Sequence, residues 1–273
     1  MAGEIVLEAA DALGIVRVTL RHPGRLNAMA RAMWRELRTV FEGIQADAGA
    51  RCVLVQGEGE AFCAGGDISE YPAFRFDAQK LRDFHEIEVW GGLSAMLECE
   101  VPIVAAIRGA CMGAGVEIAS CCDIRLAEEG ARFGAPIARL GFPMAPREAL
   151  LVARSVGDAL ARQMLLAAAT FDARALQASG FLAEVLAPPE LQDRAEKLAR
   201  HIAALSPQAA RLNKRVLRSL FERNTAQTLD GQAPTAMVSG LEDPYAYADS
   251  REHHEGIEAF LAKRKPRFTD DAH

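Results

Sequence analysis

Two loops carry residue types that let a backbone approach a ligand closely. The first runs Gly57-Glu58-Gly59-Glu60-Ala61-Phe62-Cys63-Ala64-Gly65-Gly66-Asp67-Ile68-Ser69-Glu70, and the second runs Gly109-Ala110-Cys111-Met112-Gly113-Ala114-Gly115-Val116-Glu117-Ile118-Ala119. Asp67 with Glu70 three residues on has the spacing of a capping box, which predicts a helix just after Gly66 and free amides near Ala64 and Gly65. The second loop enters another helix, with Glu117 in its first turn. Amides at helix starts are fixed donors reinforced by the helix dipole, and two of them aimed at one point can hold an oxygen as it gains negative charge. A carboxylate beside them can move protons. The structural alternatives are that the glycines only let strands turn tightly into helices, and that Glu117 only complements a helix dipole. The occurrence of two such loops in one chain favours the chemical reading.

Other glycine-rich chemistries fit less well. Gly113-Ala114-Gly115 follows a strand and precedes a helix, but the third glycine of a dinucleotide fingerprint is replaced by Ile118. A phosphate-loop lysine signature is absent, and no serine stands in a nucleophile-elbow setting.

The loops must be held by the elements before and after them. Ile5-Val6-Leu7 and Gly14-Ile15-Val16-Arg17-Val18-Thr19-Leu20 read as strands that break at His22-Pro23-Gly24, and a helix from about Ala30 to Gln45 places Met33, Leu37, Val40, Phe41 and Ile44 on one face. Cys52-Val53-Leu54-Val55-Gln56-Gly57 and Pro102-Ile103-Val104-Ala105-Ala106-Ile107 are short apolar runs of the kind found in buried parallel sheets, and a helix from about Ala78 to Leu97 separates them. This order predicts an α/β core with parallel pairing. After about residue 190 strand signals stop, and helices are expected over roughly 190–204, 207–223 and 244–264, each with an apolar stripe that must pack on the core or on another subunit.

With 273 residues, half of them apolar, the chain can bury a large core. Its net charge of −6 argues against general nucleic-acid or membrane-surface binding. No segment reaches the roughly 20 apolar residues of a membrane span, and Glu4 and Glu8 stand where a signal peptide would be basic, so a soluble, cytoplasmic protein is expected. Cys52, Cys63, Cys99, Cys111, Cys121 and Cys122 lack metal-ligand spacing and read as reduced packing residues. The basic run Lys263, Arg264, Lys265 and Arg267, taken alone, reads as a solvated helix end.

Gly59 to Ile68, then Pro102 to Ala119 and Cys122-Asp123-Ile124, resemble the paired signature of the crotonase (enoyl-CoA hydratase/isomerase) family. Arg25-Leu26-Asn27-Ala28-Met29, Ser206-Pro207 with Lys214, and Glu255 to Arg264 resemble the family's N-terminal segment, helical linker and C-terminal helix, so the likeness spans nearly the whole chain. The resemblance implies a spiral of strand–helix repeats over 1–195 and a C-terminal helical trimerisation region over 196–273. It also implies an acyl-CoA substrate, a homotrimer or a dimer of trimers, a role in fatty-acid or related acyl-CoA metabolism, and no metal or redox cofactor, coenzyme A being part of the substrate. By the same resemblance Ala64 and Ala114 supply the oxyanion-hole amides and Glu117 matches a catalytic carboxylate. Asp67 matches a site position read mainly as a helix cap. Arg25, Ala28, Cys63 and Ile68 lie in segments that border the CoA chain, and Phe260 and Lys263 meet the CoA nucleotide of a neighbouring subunit.

The pattern breaks at one catalytic position. The second carboxylate of the hydratases follows a Phe-Gly-x-Pro sequence, and here Phe133-Gly134-Ala135-Pro136 is followed by Ile137. The glycine-rich stretch that comes next in the family is replaced by Pro143-Met144-Ala145-Pro146-Arg147-Glu148. Three readings stay open: hydration or isomerisation with Glu117 alone or with a replacement such as Glu148; another enolate reaction such as decarboxylation; and acyl-CoA binding without turnover. Arg147 and Glu148 read as an ordinary helix-start pair, and His85, Glu86 and Glu88 as solvated or edge residues near the acyl pocket.

Overall fold

A computed structural model of the chain describes residues 2–226 and 245–268. The strands are β1 (Glu4–Glu8), β2 (Ile15–Arg21), β3 (Cys52–Gly57), β4 (Ile103–Ile107), β5 (Ala110–Met112), β6 (Ile124–Glu128), β7 (Arg132–Gly134), β8 (Thr170–Asp172) and β9 (Glu184–Leu186). The helices are α1 (Arg31–Ala46), α2 (Ala78–Asp83), α3 (Trp90–Glu98), α4 (Ala114–Cys121), α5 (Pro146–Val156), α6 (Asp158–Leu166), α7 (Ala173–Ala178), α8 (Leu191–Ala203), α9 (Pro207–Ala226) and α10 (Arg251–Leu261).

The main sheet has the order β1-β2-β3-β4-β6-β9 and is parallel except for the edge strand β1. Its apolar runs are continuous because both faces are covered. Val53 and Val55 point into a cluster with Met33, Trp34, Leu37 and Phe41 of α1, while Cys52 and Leu54 point the other way, onto Leu191, Ala195, Ala199 and Ala203 of α8. Each large apolar side chain of α1 that is fully buried in this way contributes about 1.5–3 kcal/mol. The expected boundary at 195 falls inside α8, which packs on the sheet.

The expected parallel core is present. The sequence did not reveal a second sheet, β5-β7-β8, whose first strand lies where the small-residue loop was expected, between β4 and α4. The helix expected over Ala78–Leu97 is a single run with a π-turn over Phe84–Val89 between α2 and α3. The expected C-terminal helices are found as α8, α9 and α10; residue 244, the expected start of the last, lies outside the described residues. Lys214 ties α9 to the core through Asp123 at 2.7 Å and the Val101 carbonyl at 2.9 Å. All six cysteines are buried and free. Among the described residues no helix is long and apolar enough to cross a membrane.

Candidate active site

The two loops meet. Parallel bridging between Cys63 and Cys111 brings the first loop against β5, with the Cys63 amide donating to the Ala110 carbonyl and the Met112 amide to the Cys63 carbonyl. Ala64 and Ala114 therefore line one cavity, of about 300 Å³, together with Glu117, Ile68 and Ile137.

Gly113 caps α4 with φ 47°, a left-handed conformation that suits glycine, and this spares Ala114 from needing one. Alanine is therefore admissible at 114 as the first helical residue. The first helical bond of α4 runs from the Glu117 amide to the Gly113 carbonyl, so the amides of Ala114, Gly115 and Val116 have no partner within the helix. A Cβ at Gly115 would lie 2.5 Å from the Cys63 carbonyl oxygen, so glycine there is what allows α4 and the first loop to touch.

The first loop differs from expectation in two ways. After Gly66 comes a short 3-10 turn, Ile68–Ala73, and not an α-helix with a reciprocal capping box. Asp67 caps the turn by accepting from the Ser69 amide at 3.0 Å and its hydroxyl at 2.6 Å, but Glu70 accepts instead from the Arg31 amide at 2.7 Å. Burial works against the Asp67 charge, yet the Ser69 bonds and Arg25 at 3.6 Å prevail and hold its carboxyl below the usual range. Second, the Ala64 amide is not free: it donates to the Leu26 carbonyl at 3.0 Å, presented by a segment in which Leu26 and Asn27 both have positive φ. Asn27 anchors that segment through the His22 amide and the carbonyls of Glu58 and Ala61.

Glu117 is the acidic group of the cavity. The little surface it keeps faces that space. Burial, with a smaller contribution from the charge of Glu148, pushes its carboxyl up to about 8. Ile137 lines the same cavity, so the position of the missing carboxylate is apolar.

Several polar groups here have surroundings that the sequence did not show, among them Glu148, named there as a candidate replacement for the missing carboxylate. His85 is not a solvated edge residue: it sits in the π-turn, lines the cavity, and pairs through Nδ1 with Glu148 Oε1 at 3.1 Å. Glu148 is 2% exposed and does not form a helix-start pair with Arg147, which instead meets Glu86 at 3.2 Å. Glu88 is held by Arg31 and Arg35. Tyr71, Arg75 and Phe142 stack together in the cavity wall, with the Tyr71 hydroxyl over Gly66. Their aromatic and basic character was visible in the sequence, but their convergence depends on how the 3-10 turn faces the chain after Ile137.

The remaining expected residues other than Ile68 are not among those that line the cavity. Arg25 is exposed beside Asp67, Ala28 accepts from His22, and Cys63 is buried, its thiol pushed up to about 12 by desolvation. Phe260 and Lys263 stand at the end of α10, away from the cavity, with Phe260 81% exposed.

Comparison with known proteins places this arrangement. The family described as enoyl-CoA hydratase/isomerase matches residues 11–271. The chain is 32% identical to the 2,3-dehydroadipyl-CoA hydratase of Escherichia coli, with 93% of this chain and 94% of that protein covered. It is 28% identical to the enoyl-CoA hydratase ACTT3 of Alternaria alternata, over 98% and 87%. A crystal structure of an enoyl-CoA hydratase/carnithine racemase from Magnetospirillum magneticum superposes with a TM-score of 0.85 at 33% identity, covering 99% of this chain and 97% of that one. The expected crotonase-like spiral is thus the observed fold, and the chain belongs to the enoyl-CoA hydratase/isomerase family of enzymes acting on acyl-CoA.

Proposed function

We propose that this chain forms the enolate of an acyl-CoA thioester in the cavity between its two loops, with Glu117 exchanging the α-proton. The observation that supports this most directly is the Glu117 carboxyl near pH 8 in the cavity lined by Ala64 and Ala114. A carboxyl poised near neutrality can take a proton when ionised and return it when neutral. The thioester oxygen would accept from the Ala114 amide at the start of α4 and from the Ala64 amide, taking the place of the Leu26 carbonyl. As the Cα–H bond breaks, its electron pair moves toward that oxygen and the fixed amides stabilise the charge.

The second proton-carrying group is His85. Glu148 accepts from Nδ1 and leaves Nε2 for the cavity, so an imidazole takes over the role that Ile137 cannot perform. Glu148 therefore acts through His85 and not directly, which suits hydration or a double-bond shift. The E. coli relative, named as a hydratase, fits this reading. Phe260 and Lys263, exposed at the end of α10 with Ile257 and Leu261, suit contact with a neighbouring subunit of a trimer and with its CoA nucleotide.

The test is α-proton exchange of a saturated acyl-CoA in deuterium oxide, followed by mass. Exchange should rise with pH through about 8, because the ionised carboxylate takes the proton. Glu117→Gln should slow it by roughly 10²–10⁴ with CoA affinity kept. Binding without any exchange by the unmodified protein would show a carrier and not a catalyst.

A further inference from the structure

The same cavity contains a charge that the chemistry above does not use. Ala64 and Gly66 belong to the first loop, the Tyr71 hydroxyl lies over Gly66, and Arg75 stacks on the Tyr71 ring. A Cβ on Gly66 would meet that hydroxyl at 2.3 Å. The Arg75 guanidinium centre lies 4.6 Å from the Tyr71 ring centroid and 3.5 Å from that of Phe142. Two aromatic walls thus hold it over their faces, favourable for a cation but supplying no acceptor atom.

Arg75 has no carboxylate partner among the described residues, and its side chain makes no hydrogen bond there either. Other arginines among the described residues behave differently: Arg31, Arg194 and Arg215 each grip a glutamate in two-pronged fashion. The cavity's other arginine, Arg139, donates to the Ala168 carbonyl. Partial burial works against the Arg75 charge. A partly buried guanidinium with an unused planar fork, lining the cavity that also holds Glu117, is a receptor for a planar anion.

We propose that Arg75 is a carboxylate subsite, and that the acyl group taken by this chain ends in a carboxylate. The proposal rests on the reading of the cavity as the acyl pocket. Tyr71 separates Arg75 from the loop that holds the thioester, so the carboxylate belongs at the distal end of the acyl chain and not on the carbon next to the thioester. The neutral part of the acyl chain would pass between Tyr71 and Ile137, and the carboxylate would take two N–H bonds from Arg75.

The experiment measures binding, not turnover, with the full-length protein. Saturated dicarboxylic monothioesters of CoA of four to eight carbons are compared by calorimetry with methyl-ended acyl-CoAs of equal length and with free CoA. One length of the dicarboxylic series should bind about 10- to 100-fold tighter than its methyl-ended counterpart. Arg75→Gln should bring that ratio toward one, and Arg75→Lys, which keeps the charge but loses the fork, should leave it in between. Equal or weaker binding of every carboxylate-ended ligand overturns the subsite while leaving the acyl-CoA reading intact. Weaker binding of free CoA by Arg75→Gln, with the ratio unchanged, assigns Arg75 to the CoA phosphates and also overturns it. Failure of every thioester to bind overturns the acyl-CoA reading itself, and the subsite with it.

Discussion

At the scale of single residues, the backbone donor at position 114 can be removed almost in isolation. Ala114 is the first residue of α4, a position where proline replaces an amide that has no helical partner and whose φ already suits the ring. Ala114→Pro is therefore expected to keep the fold by circular dichroism while slowing α-proton exchange by roughly 10²–10³, the cost of one oxyanion donor. An unchanged rate would remove Ala114 from the site. Ala114 and Glu117 were legible because each sits at a fixed offset within a helix start. Glu148 was legible only as a candidate carboxylate; its pairing with His85, and the placing of Arg75, were not, since they arise from side chains more than sixty positions apart, or from a turn that faces a distant loop. Nothing in a single sequence distinguishes a histidine that caps a buried glutamate from one in water.

At the scale of elements, the site depends on a contact between two backbones. Gly115 allows α4 to touch the Cys63 carbonyl, and the bridge between Cys63 and Cys111 runs beside it. Gly115→Ala should thus push α4 away from the first loop. It should cost about 1–3 kcal/mol in chemical denaturation, as overpacking does, and reduce exchange through both donors at once. Wild-type stability and activity would mean that the loop yields without moving the amides. The main-sheet strands were legible because burial on both faces leaves unbroken apolar runs, as in Val53 to Val55 and Ile103 to Ile107. The strands of the small sheet have only three residues each, too short to show any period. The capping box at Asp67 failed because Glu70 found a better use on the Arg31 amide, which only the tertiary structure brings near.

At the scale of the whole molecule, α9 is joined to the core by charged and polar side chains. Lys214 is largely enclosed and serves Asp123, which itself accepts from the Ile103 amide at 2.7 Å, so one lysine links the C-terminal helices to the start of β4. Lys214→Met should lose about 1–3 kcal/mol and, in hydrogen exchange, should loosen α9 before the sheet, because the Val101 carbonyl and Asp123 lose their charged donor. Uniform loosening of the entire chain would argue that α9 and the sheet unfold as one unit. The Leu26 carbonyl on the Ala64 amide also affects the molecule as a whole. If the Ala64 amide serves the thioester as proposed, the resting protein contains its own competitor for it, tethered by Asn27 and present at a fixed effective concentration that no dilution can lower. Observed affinity for a thioester is then the intrinsic affinity scaled by the fraction of molecules in which Leu26 has let go. On that reading, ligands lacking a well-placed carbonyl would meet an amide that is already engaged.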